Sequence, residues 1–401
     1  MRAAERSGAL RGRFRLPPPK ESVRIAHFSD THLGYIAYSR LVNGINQREI
    51  DVFKTFERNL DSICDADVDV VIHAGDFFDR VRPSNHTIVN AYKRMNKFQG
   101  RRGWRPFVIV AGNHETPSTA DSGNILRLFG DPSGTGGIPG VHVFCDGIAS
   151  VEIVPGLSLM AIPSRGLSEV AATTILPAGG SNVGVLVAHG LDVSLKLPSA
   201  NFDARMFRPS EWSYMALGDY HVHRALSKNV VYSGSTDYTS SNIWEEVGTP
   251  KGWCLFDSDR GTVEFIEVEP VRGVFDLPLI DATGLDGAEI SRRLVANATW
   301  PPEQDPIVRQ RVRGVHPSAR KEISGSVLRE LKSRCAFYRL ALETEMVEPG
   351  GAGESAGPRS IDHAWTEYAA QYSLPADIDR ARFAERGAQL IKESQDETAE
   401  A

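Results

Sequence analysis

Histidine, aspartate and asparagine side chains recur in this sequence in short motifs that suit the binding of divalent metal ions. Two motifs hold their polar residues two positions apart, Asp30-Thr31-His32 and His221-Val222-His223. In extended backbone, residues two apart project to the same side, so each pair can reach one ion. Three further segments supply the remaining candidates, which are Asp76 after Gly75, Asn113 and His114 after Gly112, and His189 before Gly190.

This mixture of donors indicates which metals the set could hold. Imidazole together with carboxylate suits manganese, iron or zinc, whereas magnesium and calcium prefer oxygen ligands throughout. Two ions about 3.5–4 Å apart need a shared ligand, and a carboxylate is the natural one. Asp76 is our candidate for that role. The donors therefore predict two divalent ions of manganese, iron or zinc, and of these we expect Mn²⁺.

Each motif follows a run of apolar and β-branched residues that predicts a buried strand. The clearest runs are residues 23–28, 68–73, 107–111 and 183–188. Near-continuous apolar character is typical of strands covered on both faces. Residues 48–64 and 85–98 have helical spacing instead, and 151–154 with 157–162 predict a hairpin in a second sheet. The alternation predicts an α/β sandwich whose strand ends bring the motifs into one crevice.

The order D-x-H, G-D, G-N-H-[DE], H-G, H-x-H resembles that of the calcineurin-like metallophosphoesterases. Within that superfamily, residues 28–35 (Phe-Ser-Asp-Thr-His-Leu-Gly-Tyr) and 73–79 (His-Ala-Gly-Asp-Phe-Phe-Asp) resemble SbcD-type DNA repair nuclease subunits. These are bacterial relatives of the meiotic recombination nuclease. The resemblance covers about residues 23–270. It implies a two-sheet αββα sandwich, followed by a small α+β capping domain and a C-terminal helical tail.

The resemblance also implies how the ligands divide between the two ions. One ion would be bound by Asp30, His32, Asp76 and His223, and the other by Asp76, Asn113, His189 and His221. His114 would be the catalytic residue near the leaving group, protonating it or stabilising the transition state. Histidine suits this role because its unperturbed pKa lies close to working pH.

Two positions depart from the family pattern. The family often places the first histidine of the last pair directly after the glycine, whereas Asp219 and Tyr220 here separate Gly218 from His221. We therefore expect a longer turn, and the ion that each histidine binds stays open. Glu115 stands where aspartate is common after Gly-Asn-His, and it is expected to retune its neighbours in the motif.

Changes in composition divide the 401-residue chain into five predicted parts. Residues 1–21 form a disordered basic arm, 22–270 the metallophosphoesterase domain and 271–348 the capping domain. Within the capping domain we expect a helix over 287–295, a strand over 307–312 and a helix over 318–334. Glycine-rich residues 349–359 predict a flexible linker. Residues 360–401 contain two amphipathic helical stretches that could bind a partner protein.

The motifs predict a two-metal phosphodiesterase, and the resemblance implies that it is a DNA exonuclease or endonuclease that acts in DNA repair. The resemblance implies an SbcC-type coiled-coil ATPase as partner and a homodimer. Two alternatives are a phosphodiesterase for small-molecule phosphodiesters and a non-catalytic recruitment subunit, although the complete ligand set argues against the second. Tyr35 and Arg40, just after the first motif, are candidate contacts to the DNA backbone.

Composition bears on the cellular setting. The net charge is −6, and the four cysteines are scattered without a C-x-x-C pair, which is typical of reduced thiols in a cytoplasmic protein. No apolar run approaches the roughly 18 residues that span a bilayer. We therefore expect a cytoplasmic protein without membrane association. Because the chain has no overall basic character, local patches or metal ions must attract DNA phosphates.

Overall fold

The structure, a computed structural model, describes residues 22–119, 123–172, 175–177, 179, 181–301, 305–344, 365–366, 368–370, 372 and 379–399. The predicted basic arm and glycine-rich linker lie outside these residues. In chain order, the strands and α-helices are β1 (Arg24–Phe28), β2 (Leu41–Val42), β3 (Ile45–Asn46), α1 (Gln47–Asp65), β4 (Val70–His73), α2 (Asn85–Arg101), β5 (Phe107–Val110), β6 (Val141–Phe144), β7 (Ala149–Val154), β8 (Leu157–Ile162), β9 (Val183–His189), β10 (Tyr214–Gly218), β11 (Arg224–Ser227), β12 (Val230–Tyr232), β13 (Gly252–Asp257), β14 (Thr262–Glu267), β15 (Val274–Asp276), β16 (Ile280–Asp281), α3 (Gly287–Asn297), β17 (Ile307–Val315), α4 (Pro317–Glu322), α5 (Gly325–Ser333), β18 (Phe337–Thr344) and α6 (Arg380–Ala399).

Two six-stranded sheets form the main body. The first has the order β14-β13-β1-β4-β5-β6 and the second the order β11-β12-β10-β9-β8-β7. In the first sheet, β1, β4, β5 and β6 run parallel, as do β8, β9, β10 and β12 in the second. The carboxyl ends of parallel strands therefore lie along one edge of each sheet. Strands β7 and β8 form the predicted antiparallel hairpin in the second sheet.

Apolar side chains fill three layers around these sheets. Ile25, Val70 and Val108 of the first sheet pack against Leu159, Val185 and other inward residues of the second. The outer face of the first sheet is covered by α1 and α2, whose apolar residues recur at helical spacing. The two-sheet α/β sandwich is thus confirmed. Over the second sheet, in the part of the chain that is described, short 3₁₀ helices such as Ala204–Phe207 take the place of a long α-helix.

Residues from β15 to β18 form a smaller α+β region with its own core. Strands β15, β16 and β18 all pair with β17 in parallel, and α3 packs nearby through Ile290 and Leu294. The single helix predicted over 318–334 is wrong, because the structure has α4 and α5 with a break between them. His316 caps α4 and Ser324 caps α5, each accepting a backbone N–H of the following turn.

A buried ionic network links α1 to Asp237 and to Arg272, which lies just before the smaller region. Arg48 Nη2 donates to Asp237 Oδ1 at 2.8 Å, and Arg272 Nε donates to Asp51 Oδ2 at 2.5 Å. Arg48 also lies 3.5 Å from Asp51, so these side chains, all at most 8% exposed, compensate one another's buried charge. The Tyr38 ring stacks on Phe337 at 3.8 Å between centroids. The loop after the first motif is therefore held against the smaller region.

Contacts divide the chain into two compact units, Met1–Glu345 and Met346–Ala401. In the second unit, the Trp365 indole Nε1 donates to the Ala384 carbonyl at 2.8 Å, and its ring lies 5.3 Å from Phe383. Tyr368 and Tyr372 remain about half exposed. No helix in the described ranges combines the length and the apolar character that a membrane crossing requires.

Candidate metal centre

The five motifs meet where parallel strands end. Asp30 and His32 follow β1, Asp76 follows β4, and Asn113 follows β5. The second sheet contributes His189, the last residue of β9, and the turn after β10. Because β1 pairs with β4 and β9 pairs with β10, the motifs within each sheet are neighbours. The two sheets thus bring their polar ends to one crevice.

The backbone at this crevice turns sharply at the ligand positions. Asp30, His32 and Asp76 have φ angles of +53°, +46° and +55°, in the left-handed region that few non-glycine residues adopt. Backbone hydrogen bonds hold this geometry, since Asp30 N–H donates to the Gly75 carbonyl at 2.9 Å and His32 N–H to the Asp76 carbonyl at 3.0 Å. The loops after β1 and β4 therefore position each other, and such strain concentrates at functional sites.

Two glycines leave space for the ligand side chains. A Cβ on Gly75 would lie 2.0 Å from His189 Nδ1, and one on Gly112 would lie 2.1 Å from Asp76 Oδ1. No residue other than glycine fits at these positions without displacing a candidate ligand. The requirement for glycine beside the motifs is therefore a packing requirement of the site.

One group of donors consists of Asp30, His32 and His221, whose ligand atoms lie within 4.8 Å of one another. The Nε2 atoms of the two histidines are 3.2 Å apart. Behind each ring lies a carboxylate, since His32 Nδ1 is 3.5 Å from Asp79 and His221 Nδ1 is 3.6 Å from Glu246. Carboxylates there favour a proton on Nδ1, so both Nε2 lone pairs point at the same place.

The second group consists of Asp30, Asp76 and His189, all fully buried. His189 Nδ1 donates to the Ala74 carbonyl at 2.8 Å, which leaves the Nε2 lone pair facing the crevice in the neutral ring. That Nε2 lies 2.9 Å from Asn113 Oδ1 and 3.4 Å from Asp76 Oδ1. Three electron-pair donors at these distances repel one another unless a cation lies between them.

Protonation can relieve that repulsion in part, as the pKa shifts indicate. Burial alone raises the pKa of the Asp76 carboxyl, but His189 and then His32 outweigh burial and hold that pKa well below its ordinary value. Burial lowers the pKa of the His189 imidazole, yet Asp76 and Asp219 hold it well above its ordinary value. The crevice therefore favours positive charge, and its donor set fits divalent metal ions.

His223 does not join this cluster. Its Nδ1 donates to the Tyr232 carbonyl at 3.0 Å, and its ring stacks on Phe265 at 4.3 Å between centroids. None of the candidate metal-binding groups among the described residues includes it. Burial lowers the pKa of this imidazole, consistent with a packed, neutral ring. Of the His-x-His pair, the structure brings only His221 to Asp30 and His32.

Asp219 is a site residue that the sequence analysis missed. Its Oδ1 lies 3.8 Å from His189 Nε2, and its backbone N–H donates to both carboxylate oxygens of Asp30 at 3.1 and 3.2 Å. Burial raises the pKa of the Asp219 carboxyl; His189 opposes the rise and Asp30 adds to it. Its position directly after Gly218 was the available signal, since the resembled family has a histidine there.

His114 lies at the open side of the cluster, with 42% of its side chain exposed. Its Nδ1–H donates to the Asp79 carbonyl at 2.9 Å, and its Nε2 is 3.9 Å from Asp76 Oδ2. The hydrogen bond to a carbonyl fixes the proton on Nδ1 and directs Nε2 towards the crevice. This geometry permits proton transfer to a substrate, and it also permits binding of an ion together with His32 and Asp76.

Glu115 is fully buried behind the same loop. Its Oε1 accepts the Gly112 N–H at 2.9 Å and the Phe77 N–H at 3.3 Å. Burial, and then the charge of Asp76, raises the pKa of this carboxyl to about 8. Glu115 therefore joins the loops after β4 and β5, beside the expected neighbours Asn113 and His114.

The side chains of the two candidate DNA contacts make other interactions. The Tyr35 ring packs against the core of the first sheet, with the Arg48 guanidinium 5.8 Å from its centroid. Burial raises the pKa of its phenol to about 12. Arg40 Nη1 donates to Asp305 Oδ2 at 2.6 Å, on the surface of the smaller region. Contact of either residue with DNA stays a prediction.

Glu246→Gln is expected to weaken binding of the ion at Asp30, His32 and His221 about 10–100-fold, because Glu246 orients His221. Burial raises the pKa of Glu246, but His221 and Lys251 outweigh it and bring the value to about 2, so the carboxylate is charged. Lys251 Nζ holds that carboxylate in place at 2.5 Å. Calorimetric titration of metal-free protein with Mn²⁺ measures the change, and exposed Glu245→Gln is the matched control. Equal affinity in the two variants would contradict the role of Glu246.

The family model described as calcineurin-like phosphoesterase matches residues 23–212. Residues 23–212 thus form a calcineurin-like phosphoesterase domain, as the motifs indicated. This family implies divalent metal ions at the crevice, and the donors described above fit them.

Relatives of this chain include several archaeal proteins named DNA double-strand break repair protein Mre11. The one from Thermoplasma acidophilum is 28% identical over 266 residues, covering 61% of this chain and 65% of that protein. The one from Methanosarcina acetivorans is 28% identical over 228 residues, covering 55% and 35%. The one from Saccharolobus solfataricus is 37% identical over 95 residues, covering 24% and 23%. This chain thus spans less than two thirds of these relatives' length.

Among solved structures, a purple acid phosphatase from yellow lupin aligns with a TM-score of 0.32 and 14% identity, covering 62% of this chain and 54% of that one.

Proposed function

We propose that this protein is a two-metal DNA phosphodiesterase, a nuclease that acts in DNA repair and uses Mn²⁺. The observation that carries the proposal is the convergence of histidine, carboxylate and amide lone pairs on one crevice at the strand ends. Bound divalent ions would act there as Lewis acids on the phosphodiester. The names of the Mre11 relatives favour DNA as the substrate and repair as the setting.

The surface beside the crevice also supports a polyanionic substrate. Arg80 and Arg82 are exposed in the loop that follows Asp76. Arg80 forms a surface ion pair with Asp79 at 3.0 Å, an interaction that a phosphate can replace at little cost. Such arginines can neutralise backbone phosphates locally even though the net charge of the chain is −6.

The side chains of this chain have distinct roles in the proposed reaction. Asp79 and Glu246 orient the rings of His32 and His221, and the Ala74 carbonyl orients His189. His114 keeps one proton on Nδ1 for the Asp79 carbonyl, so it would act as an imidazolium, giving a second proton from Nε2 to the departing oxygen and returning to the neutral ring. Its exposure leaves room for a nucleic acid strand at the open side of the crevice.

The proposal is tested by incubating the Mn²⁺-loaded protein with linear duplex DNA, single-stranded DNA and a small aryl phosphodiester. We expect cleavage of DNA, and loss of all hydrolysis when a chelator removes the metal. Cleavage of the aryl ester alone would favour an enzyme for small phosphodiesters. Binding of DNA by the metal-loaded protein without any hydrolysis would favour a recruitment subunit.

For the remaining parts of the chain, we propose that residues 22–270 and 271–348 are the catalytic and capping domains and that the tail binds an SbcC-type ATPase. The tail's exposed aromatic residues, Tyr368 and Tyr372, support a role in binding. We also propose a homodimer, which the family resemblance implies, and a cytoplasmic location, which the scattered cysteines favour.

Deletion of residues 360–401 is expected to leave Mn²⁺-dependent hydrolysis of the aryl phosphodiester nearly unchanged. Every proposed ligand lies in the first compact unit, so the tail is expected to be separable. The same deletion should abolish co-purification with a co-expressed SbcC-type ATPase, for which the full-length chain is the control. Loss of folding or of basal hydrolysis in the truncated protein would instead make the tail part of the catalytic unit.

A further inference from the structure

Asp219 lies at the turn that follows β10, beside the second donor group. It follows Gly218 at the end of β10 and has a φ of +93°, so the chain turns there immediately. The turn directs the backbone N–H to Asp30 and places the Asp219 carboxylate 3.8 Å from His189 Nε2. The Asp219 carboxylate thus lies beside His189, the imidazole of the second donor group.

The turn also determines which of the two following histidines reaches a donor group. Two residues after Asp219, His221 reaches Asp30 and His32, with its Nε2 3.2 Å from that of His32. Two residues further, His223 has left the crevice and hydrogen-bonds the Tyr232 carbonyl. Asp219, and neither of the two histidines, is therefore the residue of this segment that lies beside His189.

We propose that Asp219 is a ligand of the second metal ion, together with Asp76, Asn113 and His189. This inference rests on the proposed two-metal function and adds a residue that the motif pattern does not contain. The second ion would then have three oxygen donors and one nitrogen donor. The first would have two of each, from Asp30, Asp76, His32 and His221.

The exchange of an imidazole for a carboxylate changes the chemistry of the second ion. Oxygen donors suit Mn²⁺ and Mg²⁺, whereas imidazole favours Zn²⁺ and other later transition metals. The third carboxylate also adds negative charge opposite the two cations, so it strengthens retention of hard divalent ions. The second metal site of this protein is therefore expected to discriminate against Zn²⁺ more strongly than a histidine-rich site does.

The test is calorimetric titration of chelator-treated, full-length protein with Mn²⁺. The wild type is expected to bind two ions, and Asp219→Asn to bind the second at least about tenfold more weakly. Asparagine tolerates a positive φ and keeps the backbone N–H that donates to Asp30, so this variant is the one most compatible with folding. Glu211→Gln, an exposed carboxylate just before β10, is the matched control.

Asp219→His supplies the second measurement. Competition between Zn²⁺ and Mn²⁺, followed by metal analysis, should shift about tenfold towards Zn²⁺ in this variant relative to the wild type. If Asp219→Asn bound both ions with wild-type affinity, the assignment of Asp219 would be wrong, while the two-metal proposal would stand. A wild type that binds no Mn²⁺ would overturn both.

Discussion

Asp76→Asn is expected to abolish metal-dependent hydrolysis and to lower bound metal more than any other single substitution at the crevice. The Asp76 oxygens approach a histidine of each donor group, since Oδ2 lies 3.7 Å from His32 Nε2 and Oδ1 lies 3.4 Å from His189 Nε2. A shared carboxylate keeps two like-charged ions close together, and asparagine lacks the charge that does so. Asparagine also tolerates the positive φ at this position.

Metal analysis of purified variants after Mn²⁺ loading and desalting tests this expectation. Two ions are expected in the wild type and in the control Asp65→Asn, whose side chain on α1 is 80% exposed. Near-complete loss of both ions is expected for Asp76→Asn. If Asp76→Asn kept two ions while His189→Gln lost both, His189 would be the residue on which both ions depend.

Much of the fold could be predicted from the sequence, because its signals are local. Buried parallel strands require continuous apolar runs, so 107–111 predicted β5 within a residue. The helical spacing of apolar residues over 48–64, which is also a local signal, predicted α1. The break between α4 and α5 was missed although Ser324-Gly325 is a cap signal, because the apolar spacing continues across it. The 3₁₀ layer over the second sheet has no comparable periodicity.

The candidate site was predictable up to the last turn. Asp30, His32 and Asp76 follow strands and His189 ends one, and the ends of these strands meet, so sequence order was enough to bring the four residues together. Residues 219, 221 and 223 are each two apart, and that spacing places all three on one side only while the chain stays extended. The turn at Asp219 breaks this regularity, because its conformation depends on the hydrogen bonds to Asp30 from a distant segment. The assignment of His223 to an ion came from the family pattern and the His-x-His spacing, and neither of these contains the turn at Asp219.

His114→Gln is expected to keep both metal ions and DNA affinity yet to lose about 10²–10⁴ in turnover, the usual contribution of a positioned acid. The Asp79 carbonyl accepts from Nδ1, so the Nε2 that faces the crevice is the atom that can carry a transferable proton. Glutamine has comparable size but its amide does not transfer a proton. The other role that the geometry permits, binding an ion with His32 and Asp76, predicts loss of metal together with activity.

Three measurements on one preparation distinguish these roles: metal content, DNA affinity and single-turnover cleavage rate. His86→Gln, on the exposed surface of α2, is the control for the loss of a histidine. Intact metal and affinity with turnover reduced at least about a hundredfold would support the acid role, since the loss then lies in the transition state. Wild-type turnover would show that His114 is dispensable. Reduced metal content would instead assign His114 to ion binding, because its backbone N–H already contacts Asp76 at 3.0 Å and its ring lies beside His32.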